Sequence, residues 1–134
     1  MYAGRRILLA FLFFVAAASL LLGASAFAHA VLLESSPALK SSIPGPDVPL
    51  RLHVNVRIDA ARTRLILVDP DGSLQTLEIS GQDPPNTISA KARGLRPGVY
   101  RLRWQVLASD GHITRGEISF TVVKCHRSSE NVVF

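Results

Sequence analysis

The sequence predicts an all-β protein, a small antiparallel β-sandwich with Greek-key connections. Three observations point to this fold class. Apolar and polar residues alternate with a period of two in several segments, which is the pattern of strands buried on one face. Turn-forming residues separate these segments at about the 8 to 12 residue spacing of a sandwich. After residue 28, no stretch has a convincing helical period.

About seven strands are predicted, at residues 31–34, 50–56, 65–68, 74–79, 87–90, 99–106 and 116–123. The first is the short apolar run VLLE. A stretch rich in Pro and Ser, residues 35–49, is expected to be a long connection to the second strand. In that second strand, LRLHVNV, leucine and valine alternate with arginine, histidine and asparagine, so one face should be buried.

The middle strands are bounded by turn signals. DPDG at 69–72 suits a hairpin between the third and fourth strands, GQDPPN at 81–86 a loop, and RPG at 96–98 a turn before the sixth strand. The sixth strand, VYRLRWQV, and the seventh, GEISFTVV, alternate most strongly, with Arg101 and Arg103 on the outer face. The apolar positions predicted to be core residues of these adjacent strands are Leu102, Trp104, Val106, Ile118 and Phe120.

Residues 1–28 have the three-part layout of a signal peptide. Two arginines form a basic start, an uninterrupted apolar run follows, and small residues in an A-x-A arrangement end it. The apolar run is also long enough to be an uncleaved membrane anchor, for which about 20 residues suffice. The small-residue end and the lack of a charged stop favour cleavage between Ala28 and His29. We therefore expect an exported protein, in the periplasm or outside the cell envelope, that begins at His29.

Cleavage leaves 106 residues, 134 less 28, which fits one domain at residues 29–124. The net charge falls from +5 to +3 because the two charged residues that are lost are both arginines. This modest charge and the scarcity of aromatic residues argue against a nucleic-acid partner. The single cysteine, Cys125, begins a C-terminal tail, residues 125–134, and cannot form an internal disulfide, so stability must come from the core.

Few polar residues are left unexplained by the predicted fold. An N-terminal His29 offers its α-amine, with an ordinary pKa of about 7.7 to 8.0, and a ring nitrogen to the same metal ion. In the sequence SDGH, Asp110 and His112 add a carboxylate oxygen and a second imidazole on either side of a glycine that permits a tight turn. This set of three nitrogens and one oxygen suits Cu(II), although imidazole with carboxylate also suits zinc. Taken alone, Asp-Gly is an ordinary hairpin signal.

The other metal-binding side chains are weaker candidates. His53 alternates onto the polar face of its strand and is expected to be a solvent-exposed residue rather than a ligand. Cys125 and His126 are neighbours in the tail, where two adjacent residues make a poor chelate. A free surface thiol is therefore expected at Cys125.

The closing stretch PGVYRLRWQVLASDGHITRGEISFTV, with the start HAVLLESSP, the strand LRLHV and the turn VDPDG, resembles the CopC family of exported copper-resistance proteins over about residues 29–123. The resemblance implies a cupredoxin-like Greek-key β-barrel or sandwich. It also implies Cu(II) ligands at His29, Asp110 and His112. Many members carry a glutamate near the copper in the second strand, whereas residues 53–57 contain no carboxylate. The sole methionine is the first residue, so the methionine-rich Cu(I) site of some members has no counterpart.

The expected function is that of a copper-binding protein and not an enzyme, one that holds a single Cu(II) ion for resistance, buffering or delivery. A membrane transporter of the CopD type, on a separate chain, is the expected partner that the resemblance implies. Two alternatives stay open. One is a metal-free immunoglobulin-like interaction domain. The other is a copper-dependent enzyme that activates oxygen, as in lytic polysaccharide monooxygenases, but Asp110 would occupy a coordination position that oxygen needs.

Overall fold

Strands with a period of two build two β-sheets around one hydrophobic core in the computed structural model, which describes residues 4–9 and 29–125. Residues 4–9 form a short exposed helix. The remainder of the predicted signal peptide, His126 and the rest of the tail lie outside the described residues. No helix in the described ranges is long and apolar enough to cross a membrane.

Within the described residues nine strands form, at Leu32–Ser36 (β1), Ser42–Pro44 (β2), Val48–Val54 (β3), Arg64–Val68 (β4), Leu74–Leu77 (β5), Ile79–Gly81 (β6), Thr87–Ala92 (β7), Gly98–Leu107 (β8) and Ile113–Val123 (β9). One sheet has the order β1-β3-β7-β6, and the other has the order β2-β9-β8-β4-β5. A single 3-10 turn, Ala60–Arg62, lies between β3 and β4. The predicted all-β sandwich is confirmed, although the strand number is nine rather than about seven.

The first additional strand is β2, which lies inside the stretch 35–49 that the sequence predicted to be a connection. It pairs with the end of β9, and the two run parallel, whereas the prediction was of antiparallel strands throughout. Backbone bonds on both sides fix it, from Thr121 N–H to Ser41 O at 2.8 Å and from Gly45 N–H to Val123 O at 3.0 Å. Three residues are too few to show a period, so the sequence pattern could not reveal this strand.

The second additional strand arises because residues 74–79 form two strands and not one. β5 pairs with β4 in the five-stranded sheet, and β6 pairs with β7 in the four-stranded sheet. The chain therefore passes from one sheet to the other at Glu78. Leu77 is buried and Ile79 half-buried on either side of this crossing, so the apolar spacing continues through it. That continuity is why the sequence suggested a single strand.

The predicted core of β8 and β9 is confirmed. All five residues named from the sequence are buried, including Trp104 at 7% exposure and Phe120 at 1%. Arg101 and Arg103 point outward, with side chains 47% and 50% exposed. The Tyr100 and Phe120 rings stack at 5.9 Å, and the Tyr100 hydroxyl donates to the Arg96 carbonyl at 2.9 Å. This hydroxyl thus satisfies its hydrogen-bonding requirement at the margin of the core.

Gly116 makes room for the only tryptophan. Trp104 and Gly116 are directly opposed in the β8–β9 pairing. A Cβ on Gly116 would lie 2.6 Å from Trp104 Cε2, closer than real Cβ atoms approach other atoms. The indole therefore occupies the space that any side chain at residue 116 would need.

Substitutions of Trp104 and Gly116 should have non-additive effects on stability. We expect Trp104→Ala to lower the free energy of unfolding by about 3 to 5 kcal/mol, because a large core side chain is lost. Gly116→Ala should also destabilise the native protein, but it should cost less in a Trp104→Ala background, where the indole is absent. Denaturant titrations of the single and double variants measure this coupling. Gly81→Ala is a matched control, since a Cβ there meets nothing within 4 Å. Additive effects of the two substitutions would contradict the steric account.

The stability of the fold should depend on Tyr100 at alkaline pH. Burial raises the pKa of the Tyr100 phenol above its usual value of 10.0. The unfolded chain therefore releases this proton first, so the stabilising contribution is complete below about pH 10 and is lost as the pH rises through the folded-state pKa. We expect the free energy of unfolding to fall less steeply above pH 10 in Tyr100→Phe than in the native protein. At lower pH the variant should be less stable by about 0.5 to 1.5 kcal/mol, because the hydrogen bond to Arg96 is lost. Urea titrations measure this difference. If the free energy of unfolding falls equally with pH above pH 10 in both proteins, Tyr100 does not cause the fall.

Candidate metal centre

The SDGH sequence forms the loop between β8 and β9, as its hairpin signal predicts. The loop closes through a bond from Ala108 N–H to His112 O at 2.8 Å and another from Gly111 N–H to Ala108 O at 2.9 Å. Gly111 has a φ of +91°, in the left-handed region that favours glycine. The loop is exposed, so the hairpin places Asp110 and His112 at the surface.

Asp110 and His112 are bonded to each other within this loop. One oxygen of Asp110, Oδ1, accepts the His112 backbone N–H at 3.0 Å. The other, Oδ2, lies 3.3 Å from His112 Nδ1. The backbone bond, with a smaller effect of the His112 side chain, holds the pKa of Asp110 below its usual value of 3.8. The Asp110 carboxylate is therefore ionised at neutral pH.

His29 approaches this loop from a distant part of the sequence. It is exposed, while the next residue, Ala30, is 3% exposed and belongs to the core. The rings of His29 and His112 lie 5.4 Å apart between centroids, at an angle of 47°. Two imidazoles bound to one ion through bonds of about 2.0 to 2.1 Å have centroids about 4.5 to 6.5 Å apart, depending on the bond angle. The observed 5.4 Å separation of the His29 and His112 rings falls within this range.

Asn55 fixes the strand that follows His29, although alternation in the sequence marks Asn55 only as a polar-face residue. Asn55 Oδ1 accepts the Val31 N–H at 2.7 Å, and the Asn55 N–H donates to the Val31 carbonyl at 3.0 Å. These two bonds lie two residues from His29. Asn55 therefore determines where the chain places His29, although no periodicity in the sequence signals this role.

Residues 55–59 also hold the hairpin loop. The Arg57 carbonyl accepts Ser109 N–H at 3.0 Å, and Asp59 N–H donates to the Leu107 carbonyl at 2.9 Å. The segment 55–59 is therefore bonded to the N-terminal strand at one end and to the hairpin at the other. This common support brings His29 and His112 together from distant parts of the sequence.

The three predicted ligand side chains are only partly gathered. His29 lies near His112, and Asp110 contacts His112, but among the described residues no three side chains of His, Cys, Asp or Glu form a metal-ligand cluster. The predicted set relies on a fourth donor, the α-amine of His29, which exists only after cleavage. In the full 134-residue chain that nitrogen belongs to a peptide bond.

The remaining histidine and cysteine lie apart from this arrangement. The prediction that His53 is solvent-exposed is wrong: it is half-buried, and its Nδ1 lies 2.7 Å from Thr87 Oγ1. The reason is register, because Thr87 pairs with His53 across β3 and β7 and is itself fully buried. Cys125 is exposed as predicted, and it follows β9 at the end remote from the hairpin loop. A strand of this length spans about 33 Å.

Comparison with known proteins places this architecture in a family. Residues 32–123 match the CopC domain. Copper resistance protein C of Xanthomonas campestris pv. juglandis is 32% identical over 124 residues, which cover 81% of this chain and 91% of that protein. Protein YobA of Escherichia coli (strain K12) is 28% identical over 101 residues, covering 73% and 82%.

Solved structures agree with this match. The crystal structure of CopC from Methylosinus trichosporium OB3b superposes with a TM-score of 0.67 at 30% identity, over 72% of this chain and 95% of that one. PcoC, a methionine-rich copper resistance protein from Escherichia coli, superposes with a TM-score of 0.59 at 24% identity, over 72% of this chain and 100% of its own, and supports the fold alone. The chain therefore belongs to the CopC family of copper resistance proteins.

Proposed function

We propose that this protein is exported to the periplasm or the exterior of the cell envelope and there binds one Cu(II) ion after cleavage between Ala28 and His29. The single observation that carries the proposal is the 5.4 Å approach of the His29 and His112 rings in a member of a copper-related family. The family match begins at residue 32, so the geometry supplies an argument for His29 that the match does not. Bound copper is cargo, held for resistance, for buffering or for delivery to a CopD-type membrane transporter on a separate chain.

Cleavage is the step that creates the proposed site. A peptide nitrogen releases its proton to Cu(II) only where a neighbouring donor already anchors the ion, whereas a free α-amine loses its proton to a metal near neutral pH and binds it directly. Cleavage thus gives His29 two nitrogen donors, the amine and the imidazole. With His112 they provide three nitrogens, a set for which Cu(II) ranks above the other divalent ions of the first transition row.

Asp110 completes the set in this proposal. Its Oδ1 maintains the loop through the backbone N–H of His112, and its Oδ2 contacts the imidazole. Oδ2 is therefore the oxygen that can exchange its imidazole contact for a metal ion. Since the pKa of Asp110 is low, protons compete for the nitrogen donors and not for this carboxylate as the pH falls toward 5.

Blocking the α-amine of His29 should abolish the chelate. We expect a protein that begins at an acetylated His29 to bind Cu(II) more than about a hundredfold more weakly than one with a free amine at His29, because outer-sphere partners alone are worth about 10- to 100-fold. Isothermal titration gives the affinities, and electron paramagnetic resonance should show fewer coordinated nitrogens in the acetylated protein.

Three substitutions complete this experiment. Asp110→Ala and His112→Ala should each weaken Cu(II) binding and leave the circular dichroism spectrum unchanged. His53→Gln is the control and should bind as the native protein does, since His53 contacts Thr87 instead. Equal affinities and spectra for the acetylated protein and the protein with a free amine would refute the role of the amine. The SDGH loop would then be an ordinary hairpin turn.

Asn55 should influence copper binding without touching the metal. Asn55→Ala removes the acceptor for Val31 N–H, so the position of His29 is no longer fixed, and we expect Cu(II) affinity to fall about tenfold. Asn55→Asp retains an oxygen acceptor and should restore most of the affinity. Asn86→Ala is a matched control that removes a different side-chain bond, to the Val54 carbonyl at 2.9 Å. It should lower the melting temperature but not the copper affinity. If the loss of Cu(II) affinity were proportional to the loss of stability in all three variants, a positioning role for Asn55 would be excluded.

A further inference from the structure

We propose that the outer face of the five-stranded sheet is a docking surface for an acidic segment of a protein partner that carries an apolar side chain. This basic face consists of Arg64, Ile66, Arg101, Arg103, Gln105, Arg115 and Glu117. None of these residues belongs to the candidate metal centre, so the proposal is independent of copper binding.

Strand register places these side chains on one surface. Across β4, β8 and β9, one row contains Arg64, Gln105 and Arg115, and the next row contains Ile66, Arg103 and Glu117. Residues directly opposite in neighbouring strands project from the same face of a sheet. Because the alternate residues of these strands form the core, the basic face must point away from it.

The excess positive charge of the folded domain is concentrated on this face. Residues 29–125 contain 12 Lys and Arg and 9 Asp and Glu, a net charge of +3. The basic face carries four arginines and one glutamate, which is also +3. The other eight cations and eight anions of residues 29–125 therefore cancel. A patch of one sign on an otherwise balanced surface steers partners of the opposite charge.

Only part of this charge is neutralised internally. Glu117 lies 3.0 Å from Arg103 and 3.7 Å from Arg101, so one carboxylate serves two guanidinium groups. Arg115 Nε donates to the neutral Gln105 Oε1 at 2.7 Å. In the described part of the chain, Arg64 and Arg115 have no carboxylate partner within 4.0 Å. Their guanidinium groups are free to form paired hydrogen bonds with carboxylates.

The face is also concave and apolar at its floor. A groove of about 480 Å³ lies among the arginines, with Ile66, Trp104 and Gly116 among its lining residues. A groove of this size accepts one or two apolar side chains, while the surrounding arginines attract carboxylates. A peptide with both features matches this surface better than a lipid bilayer, which presents headgroups in a plane and offers no side chain to the groove.

A synthetic peptide in which glutamates flank a central Leu-Phe pair provides the probe, and the same peptide with glutamines is its control. We expect the acidic peptide to shift the backbone amide resonances of β4, β8 and β9 at low ionic strength, and the shifts to shrink as salt is added. The glutamine peptide should bind at least about fivefold more weakly.

Charge-matched variants identify the face. The triple variant Arg64→Gln, Arg103→Gln and Arg115→Gln should reduce affinity for the acidic peptide at least about tenfold. Arg64→Gln alone should reduce it about threefold, which keeps the test valid if the triple variant folds poorly.

The control removes the same charge from the other sheet and the residue after β7, through Arg51→Gln, Lys91→Gln and Arg93→Gln, and should change the affinity less than about twofold. Equal losses in the two triple variants would mean that only net charge matters and would overturn the proposal. Shifts that map to other strands would do the same. Binding to phosphatidylglycerol vesicles without binding to the peptide would assign the face to a membrane surface instead.

Discussion

The antiparallel pairing of β8 with β9 is the constraint on which the rest of the molecule depends. It runs from Gly98 opposite Val122 to Leu107 opposite Ile113 without a bulge. Since side chains alternate between faces, a slip of one residue would exchange the core side chains with the arginines. The same register brings Gly116 beneath Trp104 and places the loop containing Asp110 at the tip. Core, basic face and candidate metal centre are therefore consequences of one alignment.

The candidate metal centre adds a second requirement, the joining of two distant parts of the chain. His112 is fixed by its own hairpin, but His29 has no local structure to hold it. The segment 55–59 provides the connection by bonding to Val31 on one side and to Ser109 on the other. The hydrogen bonds of segment 55–59 thus position the residues of the candidate centre. They explain how His29 comes to lie beside the loop that contains Asp110 and His112.

Sequence patterns revealed what is set locally and missed what is set by distant contacts. Trp104 and its neighbours were correctly assigned to the core, since burial of one sheet face imposes a period of two. β2 was missed because its three residues are a strand only through pairing with β9. The hydrogen-bonded state of His53 depends on Thr87, which lies 34 residues away. The SDGH hairpin followed from its own residues, whereas the place of His29 beside it depends on Asn55, and alternation treats Asn55 as any outward-facing side chain.

The position of Trp104 makes it an intrinsic fluorescence probe of the protein. It is the only tryptophan of the chain, and it is 7% exposed, so nearly all of its surface is in contact with protein. The indole packs over Gly116 on the core side, and the same residue lines the groove on the outer face. Its fluorescence therefore senses two surroundings at once, the packing between the sheets and the water in the groove. A change in emission wavelength with the fold intact reports events on the outer face of the sheet, with no label attached.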